Sequence, residues 1–172
     1  RVDQNSVTKK CTALEIYVDG ELKDIALGDV AISKERFVGA RAIWDLSTLN
    51  ELFLARSTPN GIGLSSIGFR LLPEMGRRQG IHMQFGNGGP VVSAPVAPGL
   101  IRQVPIKKWR PLNIGESIDI NRAHCTIAMD GERSVMANPK NLVNVVLSDN
   151  GPTVVSVEDT IKTASKLGLF TK

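Results

Sequence analysis

Apolar positions along this chain recur mainly at every second residue, the spacing of strands rather than helices. Leu14, Ile16 and Val18 alternate with Glu15 and Tyr17, which predicts a strand ending at Asp19-Gly20. A second strand is expected from Leu22 to Ser33. Asp-Gly between two extended runs is a strong hairpin signal, because a type I′ turn needs positive φ at both central residues. Further strands are expected over Val38 to Asp45, Leu52 to Ser57, Gly80 to Phe85, Leu100 to Trp109, Ser117 to Arg122, Cys125 to Met129, Val135 to Ala137 and Leu142 to Ser148. Asp130-Gly131 is a second hairpin signal, and Asn150-Gly151-Pro152 another turn. Gly86-Asn87-Gly88-Gly89-Pro90 and the proline-rich Ala94 to Gly99 run read as loops.

Helix is read with assurance only at the end. Ser156 followed by Asp159 makes a capping-box-like start, Val157, Ile161, Ala164 and Leu167 recur at helical spacing, and Gly168 is a natural stop. That helix has one apolar face, to be buried on the strands or on a partner domain. Many short strands broken by Gly and Pro predict a mainly β fold, a β-sandwich with a C-terminal helix.

Composition narrows the function. With 172 residues, 42% of them hydrophobic, residues 1–172 read as a single globular domain. A net charge of +4 is carried by scattered basic residues, with small clusters at Arg77-Arg78 and Lys107 to Arg110, so no nucleic-acid surface is expected. Cys11 and Cys125 are too few for a disulfide scaffold and read as free thiols in a cytoplasmic protein. His82 and His124 make neither a zinc site nor a serine-type triad. No apolar run is long enough to cross a membrane. No Walker A or Gly-x-Gly-x-x-Gly pattern is present, so no catalytic or metal-ligating residue is assigned. The chain begins at Arg1, which points to a fragment.

Two places hold candidate chemistry. The segment Arg56-Ser57-Thr58-Pro59-Asn60-Gly61-Ile62-Gly63 follows an apolar run and leads into a segment open to helix, so its amides can seat an anion or the polar edge of a nucleotide. It also reads as an ordinary turn. Asp29 lies in the apolar run Ile25 to Ile32 beside Gly28. A carboxylate there can accept two hydroxyls, as a ribose presents them, or can face solvent at a β-bulge. Asp130-Gly131-Glu132 is open to a ligand-site carboxylate pair or a hairpin turn.

These segments, in order, carry a resemblance that covers most of the chain. Ala26-Leu27-Gly28-Asp29 resembles the Ala-Leu-Asn-Glu/Asp strand of the NAD kinase family, and Ser57 to Gly63 its Ser-Thr-Pro-Thr-Gly-Ser-Thr segment. Pro105-Ile106, Arg110-Pro111-Leu112 and Asp130-Gly131-Glu132 are similar to its later Pro-Ile, Arg-Pro-Leu and Asp-Gly-Gln pattern. Val96 to Leu100, Ile127 to Arg133 and the ending Asn150-Gly151-Pro152 to Phe170 resemble the acetoin catabolism protein X group within that superfamily. The resemblance implies the C-terminal, dinucleotide-binding sandwich of a two-domain protein. The missing N-terminal domain would carry a Gly-Gly-Asp-Gly loop. It implies ligand-binding roles for Gly28, Asp29, Thr58, Asn60, Gly61 and Asp130, with NAD or a related nucleotide as the ligand. ATP and Mg would belong only to the full-length, kinase-like protein, and this chain alone would be inactive. Gly28 departs from the family's asparagine, Asn60 from a threonine, and Ile62-Gly63 from Ser-Thr. An extra segment from about Phe69 to Gly86 separates the Thr58-Pro59 site from Gly88-Gly89-Pro90. A different reading makes the fold a non-catalytic regulatory or interaction module. Self-association into a homo-oligomer fits either reading, because strand edges and the helix face need cover.

Overall fold

A computed structural model describes residues 3, 7–34, 46–76, 78–120 and 125–171. The strand expected at Val38 to Asp45, together with Arg77, Arg122 and His124, lies outside them. The architecture is mainly β. Thirteen described strands form three sheets: β1 (Thr8–Lys10), β2 (Ala13–Val18), β3 (Glu21–Ala26), β4 (Asp29–Ser33), β5 (Leu49–Leu54), β6 (Gln79–Phe85), β7 (Val91–Ala97), β8 (Leu100–Asn113), β9 (Ser117–Asp119), β10 (Cys125–Met129), β11 (Arg133–Ala137), β12 (Val143–Ser148) and β13 (Thr153–Val155). Helix α1 spans Ser65–Leu71 and helix α2 Val157–Lys166.

The large sheet runs β11-β10-β4-β5-β6-β8-β7, the second β3-β2-β12-β9, and β1 with β13 makes a two-stranded ribbon. The first two pack face to face. Leu14, Ile16, Val145 and Leu147 of the smaller sheet meet Val30, Ile32, Phe53 and Ile127 of the larger one in a single buried cluster. The opposite face of the large sheet is covered too. Ala31, Leu52, Leu54, Ile81 and Met83 pack there beneath Ile67 of α1 and beneath Val92, Ala94, Val104 and Ile106, where β7 and β8 curl over. Central strands buried on both faces carry mostly apolar runs, as in Cys125–Met129, where every residue is buried and only Thr126 is polar.

The run from Leu22 to Ser33, expected as one strand, is two strands in two different sheets. The chain leaves the smaller sheet after Ala26 and enters the larger at Asp29. The break is enforced from a distance. The Asp130 carboxylate accepts hydrogen bonds from three consecutive amides, Leu27 N at 2.8 Å, Gly28 N at 2.7 Å and Asp29 N at 3.1 Å. Amides bonded to one carboxylate point the same way, which the alternation of a strand forbids.

The expected loop over Ala94 to Gly99 is also corrected. Val91–Ala97 is a strand, and only Pro98-Gly99 turns. Pro95 is tolerated because β7 is the edge of its sheet, where a missing N–H breaks no ladder. Both Asp-Gly hairpins form as read, with φ of 54° and 82° at Asp19 and Gly20. The Ser156 hydroxyl caps α2 by accepting from Asp159 N at 3.3 Å. The apolar face of α2 does not cover the sandwich: Val157 is 70%, Ile161 54% and Leu167 54% exposed.

The crossover predicts a stability effect with no ligand present. Asp130→Ala removes three charge-assisted hydrogen bonds and should lower unfolding free energy by about 2–3 kcal/mol. Asp130→Asn, which keeps one acceptor oxygen, should cost less. Urea denaturation of the two variants checks this, and wild-type stability in Asp130→Ala would contradict the role assigned to that carboxylate.

Candidate functional site

Three strand ends meet at one edge of the large sheet. Asp29 opens β4, Leu54 closes β5 opposite it, and Met129 closes β10 on the other side. Backbone bonds tie the departing segments together, Ala55 N to Gly28 O at 2.9 Å and Asp130 N to Asp29 O at 3.0 Å. The edge therefore gathers Gly28, Asp29, Asp130 and the start of the loop that carries Thr58, Asn60 and Gly61. Paired residues in a sheet share a face. Asp29 shares Leu54's, the face that α1 covers.

The two carboxylates differ in what they hold. Asp130 has φ of 53°, sits in the β10–β11 hairpin, and spends both oxygens on the 27–29 amides. The Arg133 guanidinium lies 3.5 Å from its Oδ2 and also binds Asp24. Asp29 is half-buried, and its side chain has no hydrogen-bond partner among the described residues. Burial, with the Asp130 charge adding to it, pushes its carboxyl up to about 6. Gly28 gives no open approach. A Cβ there would stand 3.2 Å from Asp130 Oδ1, so the glycine makes room for the carboxylate itself.

The loop is a tight turn braced from below. Gly61 N donates to Thr58 O at 3.1 Å, so that amide is used within the turn. A Cβ at Gly61 would meet Ser65 Oγ at 3.1 Å and Thr58 O at 3.2 Å. Gly63 N donates to Pro95 O at 2.9 Å, and the buried Ser66 hydroxyl bonds Gly63 O at 2.7 Å. The Thr58 and Asn60 side chains are exposed, with no partner among the described residues. Helix α1 has only seven residues and no side-chain cap. The six sequence-read residues thus fall into two groups. Gly28, Asp29 and Asp130 are in direct contact. Thr58, Asn60 and Gly61 form a turn on the neighbouring connection, and no described hydrogen bond joins it to the first group.

Elsewhere, His82 is a core residue. Its Nε2 lies 2.8 Å from Glu51 Oε2, both side chains are buried, and its ring stacks on Phe53 at 4.4 Å. Neither Cys11 nor Cys125 is in a disulfide, and the described residues contain no group of three or more His, Cys, Asp or Glu that could hold a metal ion. No described helix is long and apolar enough to cross a membrane. Arg56 and Ser57, which open the candidate segment but carry no assigned ligand role in the sequence reading, line a separate cavity.

Fold and site define a mainly β domain in which two packed sheets exchange a chain at a carboxylate-pinned crossover, beside a Pro-Gly loop. The acetoin catabolism protein X C-terminal domain matches residues 12–150, and the chain belongs to that family. Over 136 residues it is 39% identical to acetoin catabolism protein X of Cupriavidus necator, an alignment covering 76% of this chain and 38% of that relative. The chain thus spans well under half the length of the curated relative it matches. All six site residues fall within the matched region.

The Asp29 environment predicts a pH-dependent cost. A carboxyl raised from the ordinary 3.8 to about 6 binds its proton more tightly folded than unfolded. Folding is therefore unaffected below both values, is penalised progressively between them, and bears the full penalty above 6. Asp29→Asn should stabilise the protein by up to about 3 kcal/mol at pH 7.5 and by nothing at pH 3.5. Urea titrations at the two pH values test this. A gain independent of pH would refute the ionic origin.

Proposed function

We propose that this domain binds the ribose part of a nucleotide, NAD or a related one, at the sheet edge formed by Asp29 and the Thr58–Gly61 turn, and that it serves a protein of acetoin breakdown, as its relative's name indicates. One observation carries the reading: Asp29 is a half-buried carboxylate with no described hydrogen-bond partner, kept where ionisation is costly. Such a group is retained where a ligand supplies the missing donors. Vicinal hydroxyls fit, since an ionised carboxylate accepts both at once. Thr58 Oγ1 and the Asn60 amide are the exposed polar groups that would meet the remainder of the ligand. Asp130 would act indirectly, by fixing the backbone from which Asp29 projects. ATP and its Mg ion would be seated mainly by the rest of the full-length protein, where kinase-like phosphotransfer would also reside.

A second reading, an interaction module, is favoured by a different observation. Val157, Ile161, Leu167 and Phe170 line the C-terminal helix region and are each more than half exposed. Helix faces of this kind are covered by a partner, and self-association or docking of the N-terminal domain would serve.

Calorimetric titration with NAD, NADP, ATP and ADP at pH 7.5 separates the two. The first reading expects saturable binding of a dinucleotide, at least about tenfold weaker in Asp29→Ala. Binding by none of the four, or equal binding by Asp29→Ala, would reject it. The second expects a larger species in light scattering that Ile161→Glu returns to monomer. A wild-type monomer at all concentrations would count against self-association.

A further inference from the structure

A cavity of about 270 Å³ lies where the β1–β13 ribbon meets the end of β5 and the connection from α1 to β6. Its wall includes Lys9, Lys10 and Arg56, and no Asp or Glu among the described residues. Lys9 is committed to Asp159 and to Ser156 Oγ. Lys10 and Arg56 have no carboxylate partner among the described residues, and the one described contact of Arg56 is Nη1 to Cys11 Sγ at 3.7 Å. Two unpaired cations without a facing anion make a site of one sign.

A buried hydroxyl adds direction to that charge. Ser57 is a lining residue of the same cavity, and its Oγ is buried with no hydrogen-bond partner among the described residues. Buried hydroxyls are nearly always paired, so this one calls for a partner from outside the chain. Its neighbour in the wall, Thr12, shows the contrast, since its Oγ1 donates to Ala55 O at 2.7 Å. Gln79, held by Gly76 N at 3.1 Å, contributes a side-chain amide. Met75 supplies an apolar wall.

We propose that this cavity is a ligand site for the phosphate group of a small phosphorylated molecule. Arg56 and Lys10 neutralise the charge, with the guanidinium fork matching two phosphate oxygens. Ser57 donates to a third oxygen, and the carbon part rests on Met75. Size selects the ligand. The cavity lies just below the roughly 300–1,000 Å³ of pockets for drug-sized molecules, too small for a whole dinucleotide. The site is separate from the Asp29 edge. None of Gly28, Asp29, Thr58, Asn60, Gly61 and Asp130 is among the cavity's described lining residues. The inference does not rest on the nucleotide reading.

Calorimetry on this chain with inorganic phosphate, glycerol 3-phosphate and succinate tests it. Glycerol 3-phosphate should bind saturably, more tightly than inorganic phosphate and than succinate. Arg56→Gln should weaken it about tenfold and Lys10→Gln less. Ser57→Ala should also weaken binding, yet raise the melting temperature of the free protein, because it removes a buried unpaired hydroxyl. Absence of saturable phosphate binding below about 10 mM, a range of millimolar affinity that calorimetry still resolves, would overturn the proposal. So would succinate binding as well as glycerol 3-phosphate, or Arg56→Gln binding like the parent.

Discussion

The carboxylate of Asp130 and the three amides it collects at Leu27, Gly28 and Asp29 hold the two sheets in their relation. The run from Leu22 to Ser33 reads in sequence as one strand. With these bonds the chain leaves the small sheet and enters the large one, and the faces of both sheets close on a shared core. The bond partners lie about a hundred residues apart in sequence, so no local propensity encodes the turn.

The same interaction shapes the candidate site. It orients the backbone at Asp29 and places a second negative charge beside it. Asp130 is the smaller of the two causes that raise the Asp29 carboxyl, and burial is the larger. The fold therefore holds one carboxylate fully satisfied and its neighbour unsatisfied, on adjacent strand ends. The satisfied one is structural, and the unsatisfied one is available for chemistry. An asparagine in place of Gly28 would bring its Cβ to 3.2 Å of Asp130 Oδ1. Any side chain at this position would therefore press on the carboxylate that fixes the crossover.

Local signals explain which parts of the fold were legible beforehand. Asp19-Gly20 and Asp130-Gly131 encode their turns in positive φ, and Cys125–Met129 is apolar but for Thr126. The Ser156 cap and the stop at Gly168, whose φ is 66°, likewise depend on neighbouring residues alone. Pro95 misled because edge position, a property of the whole sheet, decides whether proline is tolerated. Strands β1 and β13 carry no strong periodicity in three residues each, and they exist because they pair with one another. Asp29 was legible as a charge in an apolar run, but its lack of a partner was not, since that depends on where Asp130 sends its oxygens. Gly61 was read as a donor for a ligand, and its amide proved to be bonded within its own turn.

Ser57 and Thr58 show how one loop can serve two surfaces. They are consecutive, yet Ser57, its hydroxyl buried, lines the basic cavity while Thr58 stays exposed beside Asn60. At the end of β5, Leu54 belongs to the cluster beneath α1, and Ala55 to the cluster between the sheets. Beyond Ala55 the alternation lapses, since the consecutive Arg56 and Ser57 both line the basic cavity and Thr58 does not. A substitution at Arg56 or Ser57 should therefore be separable in its effects from one at Asp29, even though all three lie at the same edge of the large sheet.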